Sequence, residues 1–197
     1  MRFVWTDAGD DPTWENGDKA GINGYFAPLF DPLTPAVLDE AIARGHAHGV
    51  YLGHNWFPGL SAGALATKVA TEYKRLATKR PKLRMMLNLE EHDPPFVLGV
   101  LQGWRRYYPY VSTTWSMEGM QGGWMDSGFV ASVLACRVRL VPQCFSGNMT
   151  RFESDVVVRD LIRRGFPENI VSPFYDAAAL GLAWDGFAFT AGRLPAA

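Results

Sequence analysis

This chain of 197 residues has few of the features that mark several broad classes of protein. Its only cysteines are Cys136 and Cys144, too few for the disulfide framework of a small secreted domain, so each is expected to be a buried thiol. No stretch approaches the roughly 20 apolar residues of a membrane-spanning helix. The N-terminus, MRFVWTDAGDD, lacks an apolar secretory segment. These absences predict no membrane insertion and synthesis in the cytoplasm without a signal peptide.

The chain also lacks an excess of charge of either sign. Its 19 lysines and arginines are balanced by 20 acids, which leaves a formal net charge of −1. Nucleic-acid binding needs a basic surface, and here the basic residues are spread along the predicted helices, so nucleic acid is not an expected partner. No glycine-rich phosphate turn follows the first strand, and no HxH or HExxH spacing supports a metal site at His54 and His92. His46 and His48 lie near a helix end on the opposite face and are expected to be structural. The sequence therefore predicts no metal and no cofactor.

What the chain does contain is a repeated alternation of short apolar strands and amphipathic helices. With 48% hydrophobic and 20% charged residues, it suits one compact domain spanning residues 1–197. Thr34 and Pro35 mark one helix start, Gly49 can stop that helix, and the capping box Thr150–Glu153 marks another start. Between Ser61 and Lys79, the helical spacing of Leu65, Val69, Tyr73 and Leu76 predicts a further helix. The helical patterns are followed by the apolar segments VYLGHNWF, RMMLNLE, VSTTWSME, VRLVPQCF and NIVSPFY.

Strands that alternate with helices require right-handed parallel crossovers, which predicts an α/β fold. RFVWTDA, GINGYFAPLF and DGFAFTA bring the count to eight strands, which favours a single compact (β/α)8 barrel of the TIM type over an open sheet. Such barrels usually have about 250 residues. We therefore expect a trimmed barrel in which some helices are short or missing, at Gly9–Gly21 and Asp176–Trp184.

In a TIM-type barrel the functional face is formed by the carboxyl ends of the strands and the loops after them. Acids, amides and aromatic residues collect at these positions. Aromatic rings stack on the apolar faces of sugars, and a pair of carboxyl groups can divide the work of glycoside cleavage. The sequence therefore predicts a carbohydrate site. The residues assigned to substrate binding are His54, Trp56, Asn88, Trp115, Gln143 and Tyr175.

Three carboxylates are the candidates for catalysis. Alternation along a strand places Asn88 and Glu90 on one side of the fourth strand, and Glu118 ends the neighbouring strand, about 4.8 Å away. Glu90 is the expected general acid, with either Glu118 or Asp7 as the second carboxylate. The retaining and inverting mechanisms both remain open.

Two resemblances extend this interpretation. LNLE looks like the DxE strand of the family 25 glycoside hydrolases, the barrel lysozymes that act on peptidoglycan, with Asp7 at the position of their first-strand acid. Asn88 stands where that family has an aspartate, which leaves Glu90 as the match to the second acid. The region from TTWSMEGMQGGW through VRLVPQCF to GFPENIVSPFYD is similar to barrel domains of minor tail proteins in phages of actinobacteria.

The second resemblance implies a virion protein near the tail tip or baseplate, in a multi-copy assembly with other tail proteins. Three hypotheses follow. The first is a glycosidase-like barrel that binds host cell-wall polysaccharide, either with or without hydrolysing it. The second is a non-catalytic tail component that uses the barrel as a scaffold, since fold alone does not confer activity. The third is a soluble cytoplasmic enzyme that acts on a small metabolite.

Overall fold

The computed structural model describes residues 2–5, 14–53, 57–89, 94–113, 127–143, 151–176 and 187–190. These residues form a sheet flanked by helices. The strands are β1 Arg2–Trp5, β2 Gly24–Pro28, β3 Ala47–Leu52, β4 Arg84–Asn88, β5 Tyr110–Thr113, β6 Arg139–Pro142, β7 Phe174–Asp176 and β8 Phe187–Thr190. The helices are α1 Trp14–Lys19, α2 Thr34–Ala43, α3 Ala62–Ala77, α4 Pro94–Trp104, α5 Ser127–Ala135 and α6 Arg151–Arg163, with short 3-10 turns at Arg105–Tyr107 and Glu168–Ile170.

The order and direction of the strands differ from those of the expected closed TIM-type barrel. Strands β1 to β6 pair in parallel in chain order and form a half-barrel, so the α/β class is confirmed. However, β8 pairs antiparallel with β1, and β7 pairs antiparallel with β8. Between β6 and the chain before β7, the described residues show a single parallel bridge, from Leu140 to Val171. The prediction of an all-parallel, closed (β/α)8 barrel is therefore wrong.

The length of the last connection explains this departure. Only residues 177–186 separate β7 from β8. A crossover to a parallel strand needs roughly a dozen residues or more, usually including a helix, whereas an antiparallel strand can return after a shorter connection. The apolar segment DGFAFTA was correctly predicted as a strand, but its direction depends on the connection before it.

Helix α3 shows why the central helices form as the sequence predicts. The Ser61 hydroxyl caps the helix by accepting a hydrogen bond from the backbone N–H of Ala64 at 3.3 Å. Leu65, Val69 and Tyr73 recur at helical spacing and are buried against the sheet. A stripe of this kind buries one face of the helix and leaves the opposite face in solvent.

The boundary between α2 and β3 lies earlier in the chain than the sequence indicates. Helix α2 ends at Ala43, and Gly45 takes the left-handed backbone conformation (φ +75°) that suits a residue just after a helix. Gly49, the predicted helix stop, lies inside β3. A Cβ at Gly49 would come within 2.4 Å of the Phe26 ring, so the strand needs glycine there to accommodate that ring.

The two faces of the sheet carry different apolar clusters. The cluster between the sheet and the helices is largely aliphatic and includes Trp104. The sheet contributes Val50, Leu87, Val111 and Leu140 to it, and the helices contribute Leu38, Val69, Leu101 and Leu161. The opposite, concave face is largely aromatic, with Phe3, Phe26, Tyr51, Met86, Tyr110 and Val141. Because neighbouring positions on a strand face opposite sides, this alternation determines which side chains reach the concave face.

A short helix, α1, forms within Gly9–Gly21, where the sequence predicts a weak or missing one. Trp14 packs against Tyr25, with ring centroids 4.4 Å apart. His46 Nε2 lies 2.8 Å from Asp18 Oδ1 on the same helix. Burial, reinforced by the nearby charge of Asp18, raises the pKa of Tyr25 to about 12. These contacts attach α1 to the outer side of the sheet near its amino-terminal end.

The composition led to expectations about the cysteine thiols and about membrane-spanning helices. Cys136 is a buried free thiol, as expected, and burial raises its pKa; Cys144 lies outside the described residues. Among the helices in the described ranges, none combines the length and apolar character needed to cross a membrane.

We expect His48 to make the stability of the protein depend on pH. The ring is buried on β3, with Nε2 3.1 Å from the carbonyl oxygen of Pro81, and burial lowers its pKa. Below the unfolded value of about 6.5, the unfolded chain binds more protons than the folded one, so the free energy of unfolding falls as the pH falls. Urea unfolding between about pH 7.5 and pH 5 measures this loss. His48→Gln should show a smaller loss, and parallel profiles would contradict the assignment.

Candidate functional site

The carboxyl ends of β4, β5 and β6 bring three polar side chains together on the concave face. Gln143 Nε2 donates hydrogen bonds to Asn88 Oδ1 and to Ser112 Oγ, each at 3.1 Å. All three residues are buried, with 5% of Gln143, 4% of Asn88 and none of Ser112 exposed. Buried amides are stable only when they are hydrogen-bonded, so these contacts hold the three side chains in a defined arrangement.

The strand register explains why these three residues meet. Asn88 is the register partner of Ser112 on β5, and Ser112 is the register partner of Val141 on β6. Gln143 lies two residues beyond Val141 and therefore on the same face. We call Asn88, Ser112 and Gln143 the amide cluster.

Aromatic side chains lie on the same half of the concave face. The rings of Trp5, at the end of β1, and Tyr51, on β3, are stacked 4.8 Å apart at an interplanar angle of 9°. Trp5 Nε1 donates a hydrogen bond to Met86 Sδ at 3.0 Å. Trp5 is half-buried, whereas Tyr51 is 8% exposed. The carboxyl end of the sheet thus combines amide groups with aromatic surface.

Three further aromatic rings fill the middle of the concave face. Phe3 lies 5.2 Å from Phe26 and 6.1 Å from Tyr110, and Phe26 meets Tyr110 edge-on at 5.6 Å, all measured between ring centroids. Tilted and edge-on pairs at these distances are favourable for aromatic rings. They form a packed layer between the amide cluster and the amino ends of the strands.

The structure describes some of the candidate residues and not others. Asn88 and Gln143, both assigned to substrate binding, are hydrogen-bonded partners in the amide cluster. The backbone of Tyr175 lies in β7, where it is the register partner of Ala188. The remaining candidates lie outside the described residues: Asp7, His54, Trp56, Glu90, Trp115 and Glu118.

Three residues of this region are absent from the candidates derived from the sequence. Trp5 is two positions before Asp7, so strand alternation could have identified it. Ser112 and Tyr51 become recognisable only through the register of β5 and β3 with their neighbours. A pattern within one strand contains no information about which residue of the next strand lies beside it.

The amide cluster supplies hydrogen-bonding groups but no group that can carry out acid catalysis. Amide and hydroxyl groups donate and accept hydrogen bonds, whereas general acid catalysis needs a group that releases a proton near neutral pH. Nor do three or more histidine, cysteine, aspartate or glutamate side chains gather around a potential metal position in the parts of the chain that the structure describes. Carboxylates that follow the strands in sequence would have to supply any acid chemistry.

Comparison with known proteins gives no relative: no protein-family model, curated protein or solved structure matches this chain. The geometry at the carboxyl end of the sheet, together with the motifs of the sequence, is therefore the basis for assigning a function.

Proposed function

We propose that this protein binds a host cell-wall polysaccharide at the carboxyl end of its parallel sheet and hydrolyses it. The observation that carries the proposal is the presence of the amide cluster and the stacked Trp5 and Tyr51 rings on the same concave face. Amides and hydroxyls complement the hydroxyl groups of a sugar, and aromatic rings complement its apolar C–H faces. In this proposal the amide cluster forms the floor of the site.

For hydrolysis, we assign Glu90 the role of general acid. Glu90 follows Asn88 by two positions in the sequence, and Asn88 lies on the concave face. Glu118 follows β5, which is the immediate neighbour of β4, whereas Asp7 follows β1, three strands away. Because neighbouring strands are about 4.8 Å apart, the strand order favours Glu118 over Asp7 as the second carboxylate.

The proposed place of action is the phage virion. This step depends on the similarity of the TTWSMEGMQGGW, VRLVPQCF and GFPENIVSPFYD segments to minor tail proteins of actinobacterial phages. It implies a protein made in the host cytoplasm, assembled in several copies with other tail proteins, and directed at the host surface. The wall polysaccharide would then be the first ligand that the protein meets.

The test measures binding and cleavage with the same polysaccharide preparations. Purified protein is incubated with actinobacterial cell walls and with their arabinogalactan, and both co-sedimentation and release of reducing ends are measured. Gln143→Leu removes both hydrogen bonds of the amide cluster, so we expect it to weaken binding about tenfold or more. Gln102→Leu, at an exposed position on α4, is the matched control and should bind as the parent does.

The outcomes separate the hypotheses. Release of reducing ends together with binding supports the proposed binding and hydrolysis. Binding without release supports a glycan-recognition protein and contradicts hydrolysis. Failure to bind or release contradicts the proposal and leaves the structural tail component or the small-metabolite enzyme. Thermal unfolding of each variant shows whether weaker binding reflects loss of the site or loss of the fold.

A further inference from the structure

The amino end of the concave face holds two arginines that converge on one tyrosine. Arg84 Nη1 donates a hydrogen bond to the Tyr110 hydroxyl oxygen at 2.6 Å, and Arg139 Nη1 donates to the same oxygen at 2.5 Å. Arg139 is the register partner of Tyr110, and Arg84 precedes Met86, the other register partner of Tyr110, by two residues. The register of β4, β5 and β6 therefore places both guanidinium groups side by side.

Within the described residues, Arg84 and Arg139 differ from the other shielded arginines in having no acidic partner. Two other shielded arginines of the molecule form ion pairs, Arg80 with Asp39 and Arg164 with Asp160. Among the residues that the structure describes, Arg84 and Arg139 have no carboxylate partner, although both are half-buried. A charge that is shielded from water and lacks a counter-charge is costly, and two adjacent like charges add to that cost.

Hydrogen-bonding capacity is also left unused. A guanidinium group has five N–H donors, and the hydrogen bond to Tyr110 uses one from each arginine. Arg139 Nε is completely buried and has no hydrogen-bond partner in the described residues. Unsatisfied buried donors of this kind are uncommon in folded proteins and need a physical explanation.

Each of the two guanidinium groups lies over an aromatic ring. Arg84 Cζ lies 4.9 Å from the centroid of the Phe3 ring, and Arg139 Cζ lies 4.7 Å from that of Tyr110. Cation–π contacts of this kind hold a guanidinium in place without neutralising its charge. Burial, with the charge of Arg84 in addition, lowers the pKa of Arg139, the direction expected for a cation that lacks a compensating anion.

We propose that Arg84, Arg139 and Tyr110 form a binding site for a phosphate-type oxyanion, either free phosphate or the phosphoryl group of a small molecule. Guanidinium groups bind such anions through paired N–H donors, and two of them match a dianion better than they match a single carboxylate. The site lies at the opposite end of β4 from the amide cluster, about 13 Å away along the strand. It is therefore independent of the proposed glycan site.

The first test measures thermal unfolding of the whole chain against sodium phosphate, with sodium chloride used to hold the ionic strength constant. At a phosphate concentration about ten times Kd, we expect Tm to rise by about 3–5 °C. Arg84→Gln and Arg139→Gln should each remove most of the rise. Arg106→Gln, at an exposed position, should retain it. A phosphate-independent Tm in the parent, or an undiminished rise in both site variants, would overturn the proposal.

A second measurement does not require the variants to fold. Phenylglyoxal modifies accessible arginines, and mass spectrometry of the digested parent locates the modified residues. Phosphate should slow the modification of Arg84 and Arg139 and should leave the rate of modification of Arg106 unchanged. Equal rates with and without phosphate at all three positions would refute the site.

To distinguish the two sources of the anion, a sugar phosphate is compared with inorganic phosphate. Tighter binding of the sugar phosphate indicates a phosphorylated small molecule, and equal binding indicates free phosphate.

Discussion

Replacement of Trp104 by alanine is expected to lower the free energy of unfolding by about 3–5 kcal/mol. Trp104 ends α4 and is completely buried, with its ring 5.2 Å from Tyr73 of α3 and 5.0 Å from Tyr107 between centroids. Truncation removes these contacts and leaves a cavity where α3, α4 and the following 3-10 turn meet. For a chain of this size, Tm should fall by roughly 6–20 °C. Urea and thermal unfolding measure both quantities.

Trp104→Phe is the matched control. In the described residues, the indole Nε1 of Trp104 is buried without a hydrogen-bond partner, so phenylalanine removes an unsatisfied donor while keeping most of the aromatic packing. We expect it to cost less than about 1.5 kcal/mol. If the alanine and phenylalanine variants lost equal stability, the assignment of the effect to packing would be incorrect.

A second prediction of large effect follows from the proposed hydrolysis of polysaccharide. Glu90→Gln should reduce the release of reducing ends from cell-wall polysaccharide by about 10²–10⁴-fold, because glutamine cannot donate a proton to the leaving oxygen. Binding should change little, since glutamine preserves the shape of the side chain. The same preparation is assayed for release and for co-sedimentation, which separates loss of chemistry from loss of binding.

Glu91→Gln provides the comparison, because Glu91 is the next acid in the chain and alternation along a strand assigns it to the other side. We expect this variant to retain most of the parental rate. A Glu90→Gln protein that digests the polysaccharide as fast as the parent would eliminate Glu90 as the general acid. A Glu91→Gln protein that loses activity instead would show that the proposed orientation of this segment is wrong by one residue.

The secondary structure was largely predictable because it depends on local patterns. Helix α3 begins after Ser61 and buries Leu65, Val69 and Tyr73, as the helical spacing predicts. Strand β4 also lies within the predicted segment RMMLNLE. At β3 the prediction failed, since Gly49 was interpreted as a helix stop. Its function in the strand depends on the ring of Phe26, which is distant in sequence.

The candidate site was predictable in part for the same reason. Alternation identified Asn88, and the end of the sixth strand identified Gln143, but neither pattern predicted the hydrogen bond between them. Ser112 and Tyr51 were missed because their importance depends on which strands are neighbours. The pair Arg84 and Arg139 was missed because arginine in a strand suggests an exposed position, whereas here both side chains lie against aromatic rings on the concave face.

By itself, the sequence determined the α/β class, the alternation of strands and helices, and the collection of polar residues at the carboxyl ends of the strands. These properties follow from interactions between residues a few positions apart, through helical and strand periodicity and helix capping. Only the tertiary structure decided that the last two strands run antiparallel, and that the concave face has an amide cluster at one end and paired arginines at the other. The physical reason is that strand direction depends on the length of the connections, and strand register on packing between segments far apart in the chain.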